Sequence, residues 1–528
     1  MDASAQGVKW GKILDQNRCI GCHACTVACK QEHGVPLGVT RTYVKQVAVG
    51  VFPDSRNHFQ VTRCNQCDEP PCVDACPTTA MYQRPDGIVD FDRDICIGCK
   101  ACIADCPYDA IYIDPESHSA EKCNFCTSRI DVGLEPACVV VCPTQAILVG
   151  DLNDPDSTVS RILASQKGEV RRPEKKTVPK LFYVGDSTHT IDPLSSRIPL
   201  PNSAPDRLPW AQSQPGALPG GSEIDHGKGE KSGNPSQSSA AAILIYDQPH
   251  RTPWDWRVSS YTWTKSIASG TLLMSALLGI LGISLSQRWE TTTIVLATAF
   301  LGLTGLLLVM DLSHPMRFYY VLTRPQWRSW LVRGAYIISA YAVLLLVFFI
   351  ASLAGWRDLI QVLRWVSLAI AIPVAGYTAF LLGQSKGRDL WQSRLLLPAF
   401  LSHAVVAGSA LLLILSTAID LPEGGITRLQ WALVLSTAIF VTLALGDLIY
   451  PHSTPHAARA VRNMTWGKYR SYYWAGITLA GIVPLVLIGM ALAGSPDRTY
   501  IVASISALIG LLAYEHAYIQ AGQSVPQS

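Results

Sequence analysis

Hydrophobic and polar positions divide the chain into two unlike parts. Beyond about residue 250, apolar residues run in eight stretches, at about 266–286, 293–311, 334–355, 362–383, 395–418, 429–450, 472–493 and 499–516. Each approaches the roughly 17–25 residues with which an α-helix crosses a bilayer core. Eight such runs in succession, with so few charges, do not suit the buried helices of a soluble protein. Before residue 250 the pattern is short and broken. VKWGKILD, GIVDFDRD and YIDPESHSAEK read as short strands between loops, and residues 151–186 as a short helix followed by a strand. From about 187 to 245 the chain turns to Pro, Ser, Gly and Asn, the composition of a linker.

This pattern predicts three parts: a domain over 1–186, a flexible linker over 187–250, and an eight-helix transmembrane bundle over 251–528. The average of 16% charged residues conceals the contrast, and a net charge of +3 without a basic tract gives no reason to expect nucleic acid as a partner. The opening MDASAQGVKWGKILDQN has neither an apolar signal core nor a twin-arginine motif.

All 16 cysteines lie between Cys19 and Cys142. They form four groups of four: Cys19, Cys22, Cys25 and Cys29; Cys64, Cys67, Cys72 and Cys76; Cys96, Cys99, Cys102 and Cys106; Cys123, Cys126, Cys138 and Cys142. CIGCHAC in the first group recurs as CIGCKAC in the third, and proline follows Cys76, Cys106 and Cys142, which marks an internal duplication. Structural zinc also uses four cysteines with CxxC pairs. The run CxxCxxCxxxC, present twice, instead has the spacing by which one tight loop wraps three corners of a cubane while a fourth cysteine serves another cage. Sixteen thiolates then make four 4Fe-4S clusters with none left over.

RCNQCDEPPCVDACPTTA and KCNFCTSRIDVGLEPACVVVCPTQAI, with the long insert in the fourth group, make residues 1 to about 185 resemble the four-cluster electron-transfer subunit of the molybdopterin oxidoreductases. Subunits of that kind accompany dimethyl sulfoxide reductase, polysulfide reductase, formate dehydrogenase and sulfite dehydrogenase. The resemblance implies an α+β, ferredoxin-like domain and a ligand pairing. Cys19, Cys22 and Cys25 would share a cluster with Cys142, and Cys123, Cys126 and Cys138 one with Cys29. Cys64, Cys67 and Cys72 would take Cys106, and Cys96, Cys99 and Cys102 would take Cys76. Some relatives carry tryptophan at a third-group position and hold a three-iron cluster, which the presence of Cys99 argues against. Lys30 departs from the Cys-Pro closure of the other groups without removing a ligand.

MDLSHPMRFYYVLTRPQWRSWLVRGAY and GYTAFLLGQSKGRDLWQS make residues of about 250 to 520 resemble the eight-helix, polysulfide-reductase-type quinone anchor, whose known representatives lack haem. His403 is the one histidine securely inside a span, whereas a b-type haem needs two axial histidines, so no haem is expected. The chain then reads as a fusion of two subunits that are usually separate. With eight crossings, fourteen Lys and Arg residues fall on the face shared by the linker and the C-terminus and five on the other, which predicts a cytoplasmic-membrane protein with its cluster domain in the cytoplasm. The same arginines also suit docking of the cluster domain or of a quinone headgroup.

Ionisable side chains in or beside spans are functional candidates. Lys265 reads as a donor to a quinone carbonyl or as a snorkelling interfacial lysine. Asp311, His314 and Arg317 read as a proton relay beside a quinone, or as an Asp–Arg pair bracing a loop. His403 should face the bundle interior, Tyr377 and Gln384 are weaker quinone candidates, and Asp447, Glu515 and His516 read first as interfacial residues. The expected partners are a molybdenum or tungsten bis-pterin catalytic subunit, membrane lipid, and ubiquinone or menaquinone. No pterin-binding domain accompanies the clusters, so the chain is not expected to convert the primary substrate. Its function is expected to be electron transfer between that subunit and the quinone pool, with a proton-translocating, energy-converting module as the alternative. The cluster of the Cys19 group is expected at the anchor end.

Overall fold

The computed structural model describes residues 7–50, 53–185, 188–196, 242–250, 252–449, 452, 454–493 and 499–528. In the N-terminal domain, β1 (Trp10–Asp15), α1 (Ala24–His33), β2 (Thr42–Val49), β3 (Arg56–Arg63), α2 (Pro71–Ala75), β4 (Met81–Gln83), β5 (Val89–Phe91) and α3 (Ala101–Asp105) follow in order. They continue as β6 (Ile111–Ile113), β7 (Ala120–Lys122), α4 (Thr127–Ile130), α5 (Ala137–Val140), β8 (Ile147–Asp151), α6 (Thr158–Ser165), β9 (Leu181–Val184), α7 (Thr188–Ile191) and β10 (Ile243–Tyr246). Strand β1 lies between antiparallel β8 and parallel β9, so both ends of the domain close on its first strand. The pairs β4–β5 and β6–β7 are small hairpins set between cysteine loops, where the sequence pattern expects strands.

The β2–β3 hairpin goes beyond that expectation. It spans Thr42 to Arg63 and carries β10 on its other edge, antiparallel to β2. Both ends of the expected linker are therefore structured: α7 at residues 188–191 and β10 at residues 243–246. The middle of that linker lies outside the described residues.

The helical domain comprises α8 (Trp256–Ile280), α9 (Gln287–Asp311), α10 (Tyr320–Thr323), α11 (Trp330–Ala354), α12 (Arg357–Gln384), α13 (Leu396–Leu415), α14 (Glu423–Ile449), α15 (Pro455–Thr465), α16 (Arg470–Ile477), α17 (Val483–Leu492) and α18 (Thr499–Gly522). Helices α16 and α17 join through a π-helical turn at Thr478–Ile482 into one apolar rod, Arg470–Leu492. Among the described residues, seven helices are long and apolar enough to cross a membrane, α9, α11, α12, α13, α14, the α16–α17 rod and α18.

Helix α8 is as long as its neighbours but is not among the seven. It begins ten residues before the first apolar stretch, and that stretch overruns its end. The reason is position. Helix α8 packs against α9, α12, α13 and α18, and most of it is buried, including Ser259, Thr262, Thr264, Lys265, Ser266, Ser269 and Thr271. A helix walled by other helices does not need a lipid-facing apolar surface. Its hydroxyls find acceptors within the helix, as in Ser266 Oγ to the Thr262 carbonyl at 2.9 Å and Ser269 Oγ to the Lys265 carbonyl at 2.8 Å. Close approach to α13 depends on facing glycines: a Cβ on Gly270 would lie 1.8 Å from the Ala404 carbonyl oxygen, and one on Gly408 2.1 Å from the Gly270 carbonyl carbon.

Candidate functional site

The cysteine loops are built by backbone geometry. In the first group, Gly21 and His23 have φ of 70° and 59°; in the third, Gly98 and Lys100 have 68° and 62°. The duplication visible in the sequence is thus repeated as a pair of left-handed residues around the second cysteine of each loop. The short helices α1 and α3 then carry Cys25 and Cys102. Amides point at sulfur in several places: Met81 N to Cys76 Sγ at 3.3 Å, Ala120 N to Cys96 Sγ at 3.4 Å and Ala146 N to Cys142 Sγ at 3.3 Å.

The thiols gather across groups. Cys19 has Cys142 and Cys22 as electrostatic neighbours, and Cys29 has Cys123, Cys126 and Cys138. Cys67 has Cys64 and Cys106, and Cys99 has Cys76 and Cys96. All 16 are free of disulfides. Among the described residues, no three Cys, His, Asp or Glu side chains converge on a site for a single ion. Cys76, Cys96, Cys99 and Cys102 instead line one shared cavity. Four thiols around one shared void, in CxxCxxC spacing closed by a distant cysteine, fit a cage rather than one ion.

That cavity abuts the helical domain. Trp254 Nε1 donates to the Cys99 carbonyl at 3.1 Å, and its ring stacks on Trp391 with centroids 5.5 Å apart. Ser313 N and His314 N donate to the Gly98 and Ile97 carbonyls, each at 3.2 Å. Gly98 must be glycine here, for besides its positive φ a Cβ would meet Ser313 Cβ at 2.4 Å. The Cys19 group lies elsewhere, with Cys22 exposed. The anchor end therefore belongs to the Cys96 group, contrary to the sequence expectation; groups with equal spacing carry no signal of which one docks.

Most of the candidates at the span ends serve this junction. The Asp311 carboxylate and carbonyl accept from Lys100 Nζ at 2.9 and 2.8 Å. His314 Nε2 lies 2.9 Å from the Ser117 carbonyl, and burial with the adjacent Arg317 charge pushes its pKa below the ordinary histidine value. Arg317 Nη1 donates to the Arg93 and Cys96 carbonyls at 2.8 and 2.9 Å. Gln384 accepts from Trp330 N at 2.9 Å and donates to the Asp74 carbonyl at 3.3 Å. Asp311 and Arg317 do not pair with each other; both reach across to the N-terminal domain.

The sequence reading missed further junction residues. Arg172 and Lys175 grip Asp389, with Arg172 Nη2 at 2.9 Å; although burial opposes ionisation, these cations hold the Asp389 pKa below the usual carboxylate range. His250 contacts Asp109 at 3.0 Å and Asp247 at 3.3 Å. Burial alone would lower its pKa, but the two carboxylates raise it to about 9. No periodicity or motif announces such pairs.

Lys265 and His403 lie inside the bundle. Lys265 does not snorkel: it is fully buried, donates to the Ala375 carbonyl at 2.7 Å and Thr378 Oγ1 at 2.8 Å, and stands 5.0 Å from the ring centres of both Tyr377 and Phe400. His403 Nδ1 contacts Glu515 Oε1 at 2.9 Å, and Thr262 Oγ1 donates to Glu515 Oε2 at 2.7 Å. Glu515 is thus an interior residue rather than an interfacial one. His403 Nε2 is buried without a hydrogen-bond partner. His403, Glu515, Asp447, Phe400, Tyr514 and Tyr518 line a small cavity. His516, by contrast, rests against the Tyr472 ring.

Residues 246–527 match the family described as polysulphide reductase, NrfD. The protein belongs to the NrfD family. Residues 56–152 match a 4Fe-4S dicluster domain and residues 10–31 a 4Fe-4S binding domain. A polysulfide reductase chain of Wolinella succinogenes is 46% identical over 187 residues, 35% of this chain and 98% of its own length. A tetrathionate reductase subunit of Salmonella typhimurium is 40% identical over 193 residues, covering 36% of this chain and 77% of that protein. Protein NrfC of Escherichia coli is 42% identical over 181 residues, covering 34% and 81%. The chain is therefore a fusion of a 4Fe-4S electron-transfer domain with an NrfD membrane domain.

Proposed function

We propose that this NrfD-family protein carries electrons between a molybdenum or tungsten bis-pterin catalytic subunit and a membrane quinone through four 4Fe-4S clusters, with the ligand pairing that the gathered thiols support. The observation that carries the reading is the seat of the Cys76, Cys96, Cys99 and Cys102 cavity directly on the helical domain, through Trp254 and Lys100. Each cluster would supply storage for one electron, so a two-electron event on the membrane side is divided into single steps.

The order of the thiol groups supports a line. Cys102 neighbours Cys72, Gln66 beside Cys67 donates to the Cys123 carbonyl at 2.8 Å, and Cys25 neighbours Cys138. The line runs from the Cys96 group at the membrane through the Cys64 and Cys123 groups to the Cys19 group. Cys22 is exposed, and so are the large apolar side chains of Ile20, Val27, Val140 and Val141. Helices α1 and α5, which carry Val27 and Val140, pack together, and we assign their exposed apolar side chains to contact with a partner subunit.

On the membrane side we assign the quinone headgroup to the interior around Lys265, Tyr377 and His403. The buried, unpartnered His403 Nε2 supports such a ligand. Because Glu515 already accepts from Thr262, His403 Nδ1 is assigned as the donor to the other carboxylate oxygen, which leaves Nε2 as acceptor. An imidazole held in this way takes a proton from a quinol hydroxyl, and Glu515 steadies the resulting charge. Eight crossings of the cytoplasmic membrane, with α8 as the central one, and a cytoplasmic cluster domain agree with the Lys and Arg bias.

Quinol-driven bleaching of the clusters, followed optically in the purified complex, tests the reading. Lys265→Met and His403→Gln should lose it by at least tenfold while iron content and dithionite reduction stay normal. Unchanged kinetics in both variants would remove the quinone from this interior.

A second reading, an energy-converting module that moves protons, is favoured by Asp447. It lines the same cavity as His403 and Glu515 and accepts from Ser393 Oγ at 2.9 Å near the cluster-side end of α14. Proton release in proteoliposomes beyond the quinone's own stoichiometry, lost in Asp447→Asn, would establish this reading; equal release in both would end it.

A further inference from the structure

Among the described residues, Lys12 and Arg63, two of the buried cations in the N-terminal domain, form no ion pair. Lys12, on β1, is 2% exposed, and its ammonium has no hydrogen-bond partner; it stands 3.9 Å from the centre of the Phe125 ring. Arg63, at the end of β3, is 1% exposed. Its Nη1 donates to Cys138 Sγ at 3.0 Å, while Nε and Nη2 have no partner. Among the described residues neither side chain forms an ion pair, whereas Arg41, similarly buried, is paired with Glu121 at 2.8 Å. A charge held in a protein interior is costly unless an anion meets it.

The groups that face both cations are thiols. Lys12 lies within electrostatic range of Cys123, Cys126 and Cys138. Arg63 faces Cys138, Cys123 and Cys25. A third buried amine, Lys122, donates to the Cys123 carbonyl at 3.3 Å and to the Val89 carbonyl. The cavity of Cys76, Cys96, Cys99 and Cys102 is different: its sulfurs receive backbone amides, and its nearest lysine, Lys100, is already bound to Asp311. The Cys64 group has Lys180 close by, paired with Asp68 at 2.8 Å, and Lys122 as a neighbour of Cys72, so it has one unpaired cation where the Cys123 group has Lys12 and Arg63 as well.

We propose that Lys12 and Arg63 are tuning residues, which make the cluster of Cys29, Cys123, Cys126 and Cys138 the most oxidising of the four and so the station where an electron rests before the exposed end. This rests on the four-cluster reading above. A cubane on four thiolates is anionic and gains one further negative charge on reduction, so fixed cations with free N–H donors favour the reduced form. Lys12 acts on this cluster alone, and Arg63 acts also on the neighbouring cluster of Cys19, Cys22, Cys25 and Cys142.

The test is an EPR-monitored redox titration of the full chain, with components assigned by Cys126→Ser and Cys99→Ser. In the unaltered protein the Cys123-group component should reduce first. Lys12→Met should lower its midpoint alone. Arg63→Met should lower it and, less strongly, that of the Cys19-group component, and Arg63→Lys should restore most of the loss. The Cys96-group midpoint should not move. If Arg63→Met does not assemble, Lys12→Met and Arg63→Lys still decide. An unmoved midpoint in Lys12→Met at full iron and sulfide content, or a different component reducing first, overturns the proposal. Iron and sulfide short of four clusters in the unaltered protein would instead overturn the ligand reading.

Discussion

Lys100, in the third cysteine loop, and Asp311, the last residue of α9, are joined across the junction: one ammonium holds both the carboxylate at 2.9 Å and the carbonyl of the same residue at 2.8 Å. The two side chains are 17% and 9% exposed, so the pair is largely desolvated. Removing one partner of such a pair strands the other. Lys100→Met should therefore cost about 3 kcal/mol, and Lys100→Met with Asp311→Asn should cost less than Lys100→Met alone. Thermal denaturation in detergent measures both. Equal loss in the single and double variants would show that the contact contributes little beyond packing.

The cross-group thiol neighbours make a ligand prediction. Cys142→Ala and Cys22→Ala should remove or convert the same EPR component, and Cys29→Ala and Cys126→Ala another. If Cys29→Ala instead altered the component lost in Cys22→Ala, each group would hold its own cluster and the pairing would fail.

His250 predicts a pH dependence. Its pKa is raised to about 9 by Asp109 and Asp247, above an unfolded value of about 6.5. A raised pKa gives stabilisation that is fully present below about pH 6.5 and lost as pH rises through about 9. The junction should accordingly loosen between those values, seen as faster amide exchange in β2 and β10. His250→Gln should flatten that dependence; an identical slope in the variant would assign it to another group.

Gly387 lies over the third cysteine loop. A Cβ there would stand 2.6 Å from the Cys106 carbonyl oxygen and 2.7 Å from that of Ala104, and backbone cannot yield as a side-chain tip does. Gly387→Ala should cost about 1–3 kcal/mol and slow quinol-driven cluster reduction. Gly383→Ala, whose nearest obstacle is the Trp391 carbonyl at 3.9 Å, should leave that rate unchanged. Equal rates in the two variants would mean that the loop adjusts.

The parts of this fold that are legible in the sequence are those set by local spacing. The cysteine intervals mark the cluster loops, and the apolar runs mark the spans from α9 onward. Helix α8 is misplaced by its apolar run because hydropathy registers exposure to lipid, whereas Thr262, Lys265 and Ser269 face other helices. Asp311, His314 and Arg317 carry the residue types that proton transfer and docking both use, and contacts with Lys100, Ser117 and Arg93, some 200 residues away in sequence, separate the two uses. The role of Glu515 is likewise hidden, since His403 and Thr262, which meet it, come from two other helices.

Strand β10 enters the sheet beside β2 just before the helical domain begins, so that domain contributes hydrogen bonds to the edge of its partner's sheet. Ser528, at the far end of α18, adds a 2.7 Å hydrogen bond from Tyr43 Oη on the same strand β2. The two halves are thereby clasped from both ends of the membrane segment. Produced as two polypeptides, 1–196 and 241–528, they should copurify. In that form the molecule would be a two-subunit complex whose interface includes a donated strand.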